Sequence, residues 1–278
     1  MIKPGITLHI LVISLGFYAT QTEAQLLPRP DRIVIVIEEN ISYAQIIGNR
    51  DAPYINALAR RGVLFTQSYG VAHPSQPNYL ALFSGSTHGI TSNICPLELS
   101  GTNLAGVLIE KDFSFVSYAE SMPRAGFDGC IYGTYYRKHN PTVNWKELAH
   151  LNQPFNAFPQ DFAQLPTVAF VIPSQLNDMH DGSIAQSDAW LARNMEPYAQ
   201  WAMAHNSLLI VTWDEDDGST DNRVATIFIG AMVKPGSSTQ HINHYNLLRT
   251  IEEMYGLSYV GESAQAEPIR GVWMKKGR

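Results

Sequence analysis

Five short segments of the chain consist almost entirely of apolar residues, many of them β-branched or aromatic. Apolar runs without polar alternation are typical of strands that are covered on both faces of a parallel sheet. The predicted strands are Arg32–Ile37, Phe113–Ala119, Val168–Ile172, Leu208–Trp213 and Val224–Gly230.

Between these runs lie segments whose apolar residues recur with helical spacing. This alternation of strands and helices favours the α/β class, with a mostly parallel central sheet and helices on both of its faces. The stretch 120–165 is rich in Tyr, Pro, Asn and Phe and has no clean periodicity. We interpret it as an irregular insertion over the active face of one domain, residues 25–278. The predicted helices are Tyr54–Arg61, Gln76–Phe83, Leu104–Glu110, Ile184–His205 and Asn243–Tyr255.

Residues 1–24 have the pattern of an export signal. One basic residue precedes an apolar stretch, Ile6–Ala19, and the small residues Thr22 and Ala24 fit a cleavage site. A membrane anchor or a buried helix is the alternative, but the stretch is short for a membrane span and a Pro-rich segment follows it at once. We therefore expect a secreted or periplasmic protein with no stable membrane insertion.

Composition and charge narrow the choice of partner. The 278 residues are 45% hydrophobic and 16% charged, which is ordinary for a globular protein and excludes disordered and collagen-like classes. The net charge is −6 and no basic block occurs, so a nucleic acid is not expected as partner. These features favour a protein that acts on a small molecule.

The chain contains two cysteines, Cys95 and Cys130. In an exported chain two cysteines predict one disulfide, and a pair of free buried thiols is the alternative. A Cys-x-x-Cys motif for metal binding or redox chemistry is excluded by their spacing.

Acidic residues cluster after three of the predicted strands, in Glu38–Asn40, Asn177–Gly182 and Asp214–Gly218. Parallel sheets place their ligand sites at the carboxyl ends of strands. Each cluster alone could be a solvated turn, but carboxylates brought together repel one another unless a cation lies between them. The oxygen-rich set suits Mg, Mn or Ca, and added histidines widen the choice to Zn or Fe. We expect Asp216 and Asp217 to lie beyond the strand end as solvated turn residues.

A serine, Ser75, stands just before a predicted helix in the segment His73–Tyr79. Helix N-termini favour anions, and a serine there can also be a simple N-cap. No Gly-x-Ser-x-Gly elbow surrounds it, so coordination of its hydroxyl by a metal is favoured over a Ser-His-Asp triad. No G-x-G-x-x-G or Walker A loop supports a nucleotide cofactor.

Six motifs, in this order along the chain, resemble the phosphoesterase family of the alkaline phosphatase superfamily, which holds acid phosphatases and bacterial phospholipases C. The resemblance runs from about Arg32 to Leu257, most of the chain without its leader. The motifs are a strand followed by Glu39–Asn40, H-P-S-Q-P-N-Y from His73, Y-Y-R-K-H-N-P from Tyr135, N-D-M-H-D-G from Asn177, V-T-W-D-E from Val211 and H-Y-N-L-L-R-T-I-E from His244.

The resemblance implies a fold with an alkaline-phosphatase-like core and specific roles at matching positions. Ser75 matches the nucleophile that contacts the metal and accepts the phosphoryl group, and Asn78 matches the residue that holds a phosphate oxygen. The residues that match the metal ligands are Glu39, Asn40, Asp214 and Glu215, together with Ser75.

Further positions match a second metal site and a basic run. Asp178, His180 and His244 match the region that builds the second site in two-metal relatives, although the spacing departs from Asp-x-x-x-His. His180 or His244 is expected to protonate the leaving oxygen. The run Arg137–His139 is typical of the acid phosphatase branch. Its Lys138 and His139 are expected to contact substrate phosphate, the alternative being that the run packs and solvates a loop.

These observations predict an exported, metal-dependent hydrolase of phosphate monoesters that works through a phosphoserine, of the acid phosphatase type. A phospholipase C or other phosphodiesterase is the alternative, but the short chain leaves little room for the extra domains of larger phospholipases. A metal- or phosphate-binding protein without turnover is a third possibility, and retention of Ser75 beside the acidic set argues against it.

Overall fold

The computed structural model describes residues 1, 26–219 and 221–274, so the predicted export signal lies outside the described residues apart from Met1. The α-helices of the described part are α1 (Tyr43–Ile46), α2 (Pro53–Arg61), α3 (Ser75–Ser84), α4 (Leu104–Ile109), α5 (Ile184–Ala204) and α6 (His244–Tyr255). The strands are β1 (Arg32–Glu38), β2 (Val63–Tyr69), β3 (Phe115–Ala119), β4 (Ile131–Tyr132), β5 (Tyr135–Tyr136), β6 (Asn152–Pro154), β7 (Val168–Ile172), β8 (Ser207–Trp213), β9 (Arg223–Ile229), β10 (Gly236–Ser238) and β11 (Ile242–Asn243).

The central sheet has the strand order β10-β2-β9-β8-β1-β7-β3-β6, and β11 also pairs with β2. Strands β8, β1, β7, β3 and β6 are parallel to their neighbours in that run. Strand β9 is antiparallel to both β8 and β2. The mostly parallel sheet predicted from the apolar runs is therefore confirmed, and the polar residues after β1 and β8 meet at one edge.

All five predicted strands and all five predicted helices are present, with end positions that differ by at most two residues. Strand β2 was not predicted. Its side chains alternate between buried and more exposed positions, because the strand lies toward one side of the sheet and is only half covered. An alternating strand lacks the continuous apolar signal that identified the others.

Apolar side chains from β1 divide the core between the two faces of the sheet. Ile33, Ile35 and Ile37 pack with side chains of α3, α4 and α6. Val34 and Val36 point to the other face and pack with α2 and α5. Both faces are thus covered by helices, which is why the central strands are apolar without alternation.

The stretch 120–165 contains β4, β5 and β6 and five short 3₁₀ helices. Strand β6 joins the edge of the main sheet beside β3, while β4 and β5 form a separate hairpin. The absence of a long helix or strand here agrees with the lack of periodicity in its sequence. This stretch brings His139 next to Glu39, the residue that follows β1.

Cys95 and Cys130 form a disulfide, which confirms the predicted pairing. It joins the loop after α3 to the residue that precedes β4. None of the helices in the described residues is long and apolar enough to cross a membrane.

Candidate active site and metal-binding cluster

The site forms where β1 and β8 end side by side. The two strands run parallel with Glu38 opposite Trp213, so the next residues, Glu39 and Asp214, leave the sheet at the same level. The backbone N–H of Asp214 donates to the carbonyl of Glu38 over 3.0 Å. Both side chains are buried, at 0% and 1% exposure. The register of the sheet therefore places two carboxylates side by side in a site that is shielded from water.

Helix α3 brings Ser75 to this pair of strand ends. The Ser75 hydroxyl lies 3.0 Å from Oε2 of Glu39 and 2.9 Å from Oε1 of Glu215. The N-cap interpretation is wrong, because Ser75 is the first residue of α3 and Pro74 occupies the cap position without a side-chain cap bond. The hydroxyl faces the carboxylates instead of the helix backbone.

Glu39 is the centre of the cluster. Its Oε1 accepts a 2.6 Å hydrogen bond from the Tyr79 hydroxyl, one turn along α3 from Ser75. Nε2 of His139 lies 3.0 Å from the same oxygen, yet the two atoms do not form a hydrogen bond. A ring nitrogen and a carboxylate oxygen that approach each other in this way are arranged as two ligands of one cation would be.

Two groups of side chains around Glu39 have the arrangement of metal ligands. One consists of Glu39, Asp214 and Glu215, and the other of Glu39, His139 and His180. Within each group the ligand atoms lie within 4.8 Å of one another. Glu39 belongs to both, so the geometry accommodates two neighbouring cation positions that share this carboxylate.

Several buried oxygens of the cluster lack a hydrogen-bond partner. They are Oδ2 of Asp178, Oδ2 of Asp214 and Oε2 of Glu215. An unpartnered buried carboxylate oxygen is costly, and a coordinated cation removes that cost. Carboxylate oxygens with one or two imidazoles form a ligand set that Mg, Mn or Zn accepts. The residues therefore fit a divalent cation.

The electrostatics of the site favour the binding of a cation. Burial raises the pKa of Asp214 well above its ordinary value, and the Glu39 and Glu215 carboxylates raise it further. Burial raises the pKa of Glu215 to about 7, against the effect of its hydrogen bond from Ser75. Burial lowers the pKa of His139 to about 3, which keeps its imidazole neutral and able to bind a metal.

Asp178 lies beside the second group of ligands, to which His180 belongs. Oδ2 of Asp178 is 3.2 Å from Nδ1 of His139, and Oδ1 accepts a hydrogen bond from the backbone of His180. Burial raises the pKa of Asp178 to about 7. Nε2 of His180 accepts from the ammonium of Lys138 over 2.9 Å, and its Nδ1 bonds to Asp181.

Two predicted site residues, Asn78 and Asn40, use their polar groups differently from the expected roles. The side-chain oxygen of Asn78 accepts from the backbone N–H groups of Val71 and Ala72, and its amide donates to Ala72, so this side chain holds the loop before Ser75. Asn40 contacts the cluster through its backbone N–H, 3.2 Å from Oδ1 of Asp214. Phosphate binding by Asn78 and metal binding by Asn40 stay predictions.

His244 begins α6 and is buried at 1% exposure. Its Nε2 lies 2.5 Å from the backbone carbonyl oxygen of Asp214, and burial lowers its pKa to about 4. The histidine ring is therefore directed at the backbone of the residue that follows β8, and it supports this end of the strand. Its assignment to proton transfer or to a second metal stays a prediction.

Arg137 fills the packing role that was the alternative for its run. The guanidinium is buried and donates to the carbonyls of Asp128 and Leu97, which fixes the base of the β4–β5 hairpin. Lys138 and His139, the next two residues, face the site. Successive side chains of one short 3₁₀ helix therefore point in different directions, Arg137 to the hairpin base and the next two residues to the site.

Asp216 is buried, which makes the expected solvated position wrong. It accepts hydrogen bonds from the backbone of Gly218 and Ser219, and Nε2 of His73 lies 2.9 Å from its Oδ1. The loop after β8 folds back over this carboxylate. Asp217 is exposed, as expected.

Sequence reasoning missed His73 and Tyr79 as members of the site. Both belong to the same segment as Ser75, and His73 also lies 3.8 Å from Oε2 of Glu215. The available signal was their position: Tyr79 is four residues after Ser75, which places the two side chains on one face of α3.

The chain is similar in sequence to a family of known enzymes. The model of the phosphoesterase family matches residues 49–258. The chain is 50% identical over 254 residues to the phosphatidylinositol-3-phosphatase of Mycobacterium tuberculosis, an alignment that covers 90% of this chain and 85% of that protein.

A more distant relative and a solved structure are also similar to this chain. The chain is 30% identical over 245 residues to an acid phosphatase of Aspergillus fumigatus, covering 80% of this chain and 54% of the fungal enzyme. It therefore spans about half the length of that relative. A solved structure of a protein in the alkaline phosphatase superfamily from Vibrio parahaemolyticus superposes with a TM-score of 0.56 at 12% identity, over 89% of this chain and 75% of that one. This likeness shows the fold.

Proposed function

This chain belongs to the phosphoesterase family, and we propose that it is an exported, metal-dependent hydrolase of phosphate monoesters. The observation that carries the proposal is the Ser75 hydroxyl held between carboxylates of Glu39 and Glu215. The names of the relatives add support, since the bacterial relative and the fungal one are both phosphatases. Monoesters are therefore favoured over the diesters of the phospholipase C alternative.

The divalent cation belongs to the proposal. Glu39, Asp214 and Glu215 with Ser75 would hold one cation, and Glu39, His139 and His180 would hold a second. Asp178 faces His139 and supports it. Bound there, a cation supplies charge neutralisation for the substrate phosphate and makes the serine hydroxyl more acidic.

Ser75 is the proposed nucleophile. Its Oγ forms a bond to phosphorus while the bond from phosphorus to the alcohol oxygen breaks, and its proton passes to Oε1 of Glu215. Oε1 of Glu215 lies 2.9 Å from this hydroxyl and is therefore placed to accept the proton. Water then attacks the phosphoserine and releases inorganic phosphate, which restores the hydroxyl.

Lys138 and His180 are the proposed contacts on the leaving-group side. The Lys138 ammonium is held 2.9 Å from Nε2 of His180, so this pair brings positive charge to the edge of the carboxylate cluster. Positive charge at this position stabilises the negative charge that develops on the phosphoryl oxygens. His180 is partly exposed, and we assign it to protonation of the departing alcohol when only the first cation is bound, because an imidazole that held a second cation would have no proton to give.

Export is the remaining part of the proposal. The Cys95–Cys130 disulfide agrees with an oxidising compartment, because disulfides persist in secreted and periplasmic proteins. The leader pattern of residues 1–24 supports the same conclusion. Peptide sequencing of the mature protein from culture medium or periplasm should find an N-terminus at Gln25.

One assay tests the catalytic proposal. The purified protein is freed of metal, resupplied with Mg, Mn, Ca or Zn in turn, and assayed from pH 4 to 9 on p-nitrophenyl phosphate and bis(p-nitrophenyl) phosphate. We expect kcat/KM for the monoester to exceed that for the diester by about 100-fold or more. Preference for the diester would establish the phosphodiesterase alternative. Metal binding without hydrolysis of either ester would establish a binding protein.

A further inference from the structure

An apolar pocket lies next to the catalytic cluster. It has a volume of about 180 Å³ and is lined by Asn93, Ile94, Cys95, Cys130, Ile131, Tyr136 and Lys138. Asn93 and Lys138 are its polar residues, and the other five side chains are two isoleucines, a disulfide and an aromatic ring. The space suits an alkyl or aryl group of several carbon atoms.

Lys138 joins this pocket to the site. The side chain lines the pocket, and its ammonium lies 2.9 Å from Nε2 of His180. His180 in turn belongs to the group of ligands around Glu39 and His139. The pocket therefore opens beside the residues that we assign to the leaving group.

A second connection runs through Gln76, the residue after Ser75. Its backbone N–H donates to the side chain of Asn93, and its side chain exchanges two hydrogen bonds with the backbone of Ile94, at 2.6 and 3.0 Å. The wall that carries Ile94 is thus fixed directly to the start of α3. These hydrogen bonds link the pocket wall to the residue that follows the proposed nucleophile.

The opposite wall is equally well held. The Cys95–Cys130 disulfide ties it to the first wall, and the buried Arg137 guanidinium fixes the hairpin base through the carbonyls of Asp128 and Leu97. A wall ordered before binding loses little conformational entropy when a ligand enters. The pocket is therefore preformed.

Apolar surface around the pocket remains exposed to water. Ile94 is 39% exposed and Ile131 57%. Large apolar side chains grouped beside a polar site mark a ligand or interaction surface. Contact with an apolar ligand removes this surface from water.

Building on the proposed phosphatase function, we propose that this pocket is the subsite for the alcohol part of the substrate and selects phosphate monoesters with apolar leaving groups. The phosphate lies at Ser75 and the carbon chain extends past Lys138 between Ile94 and Ile131. Lys138 then serves both parts, with its charged end toward the phosphate and its aliphatic stem along the pocket.

The test compares ethyl phosphate with n-hexyl phosphate, since the two leaving alcohols have nearly equal acidity and differ in apolar length. For the wild-type metal-loaded enzyme we expect kcat/KM to be about tenfold or more higher for the hexyl ester. Ile131→Ser and Ile94→Ser each place a hydroxyl in the pocket and should reduce this ratio about fivefold, because they lower kcat/KM for the hexyl ester more than for the ethyl ester.

Ile109→Ser is the matched control, because Ile109 is a similarly exposed isoleucine at the end of α4 and does not line the pocket. It should leave the ratio unchanged. A wild-type ratio near one, or a ratio that the pocket variants do not alter, would overturn the subsite.

Calorimetric binding of ethylphosphonate and hexylphosphonate separates this proposal from the catalytic one. Tighter binding of the hexyl compound that depends on Ile131 would support the subsite even in a protein that hydrolyses neither ester, in which case only the proposed function fails. Equal binding of the two phosphonates would contradict the subsite, whatever the turnover.

Discussion

The Oγ atom of Ser75 lies 2.9 Å from Oε1 of Glu215, a residue 140 positions later in the chain. The contact joins the first turn of α3 to the loop after β8. Glu39, at the end of β1, lies 3.0 Å from the same hydroxyl. Three segments that are remote in sequence therefore define the orientation of one oxygen atom, and the following predictions depend on that arrangement.

Replacing Ser75 by alanine should abolish turnover and leave the fold intact. The change removes the attacking oxygen and one small group from a cluster whose other members stay in place. We expect kcat to fall at least about 1,000-fold, with a melting temperature close to that of the wild type. Steady-state kinetics and thermal unfolding measure the two effects.

Ser84→Ala is the control for that variant. Ser84 is also buried in α3, and its hydroxyl bonds to the carbonyl of Leu80. Its loss should cost about 1 kcal/mol of stability and leave kcat unchanged. Activity of Ser75→Ala within about tenfold of wild type would exclude Ser75 as nucleophile.

Removal of metal should lower both activity and stability. Without a cation, Glu39, Asp214 and Glu215 face one another in a buried site, and their mutual repulsion opposes folding. Chelation is expected to lower the melting temperature, and a divalent metal should restore it, since a ligand that binds the folded state stabilises that state. Elemental analysis and thermal unfolding with and without chelator test this prediction. A protein without bound metal whose melting temperature does not change on chelation would refute the metal site.

Asp214→Asn should weaken metal binding about 10- to 100-fold, because it removes charge from a ligand with an unpartnered buried oxygen. Asp217→Asn is the matched control, since Asp217 follows the same strand but is exposed and bonds only to Gln45 among the described contacts. Asp216→Asn should instead loosen the loop that it holds through Gly218 and Ser219. Calorimetric titration with metal ranks the three variants.

The metal-free protein should lose stability as pH rises from about 4 to about 7. Burial raises the folded-state pKa of Asp178 and Glu215 to about 7, and it raises the pKa of Asp214 and Glu38 well above the ordinary value. The lowered pKa values of His139 and His244 act in the opposite direction, but these two imidazoles are outnumbered by the four carboxyls, so the folded state binds more protons than the unfolded chain in this window. Stability therefore falls as these groups ionise, and it is fully present below their unfolded pKa values. Added metal should reverse the trend, because it binds the ionised form.

Glu215→Gln provides the check on this pH dependence. Denaturant unfolding of the chelated protein at several pH values should show a shallower slope for this variant than for the wild type. Glu110→Gln, which alters an exposed carboxylate far from the site, should keep the wild-type slope. A stability that rises with pH in chelated wild-type protein would contradict the assignment.

Loss of the disulfide should destabilise the chain. The bond between Cys95 and Cys130 closes a loop with a sequence separation of 35 residues. Chain entropy predicts a loss of about 3–4 kcal/mol for the double variant Cys95→Ser/Cys130→Ser. Denaturant titration measures this loss, and detection of two free thiols in unfolded, unreduced wild-type protein would contradict the bond.

Local pattern was enough to identify the scaffold of the site. The central strands are apolar at nearly every position because both faces of the sheet are covered, so β1, β7 and β8 could be predicted from the sequence. Parallel strands end at the same edge, which correctly indicated that Glu39 and Asp214 come together. The pattern of apolar residues within one strand is therefore enough to predict the strand and the position of its end.

The tertiary structure alone decided where His139 and Asp216 lie. His139 comes from a stretch without periodicity and reaches Glu39 through a 3₁₀ turn, beside a hairpin tied down by Arg137 and the disulfide. Asp216 looked like a solvated turn residue, but its loop folds back toward His73 and buries it. Both positions depend on contacts between segments that are distant in the chain. Bringing such segments together costs chain entropy, and all the contacts that they make must offset this cost together. A local pattern of apolar and polar residues reports only which side of its own element is buried, so such contacts emerge only when the whole chain is packed.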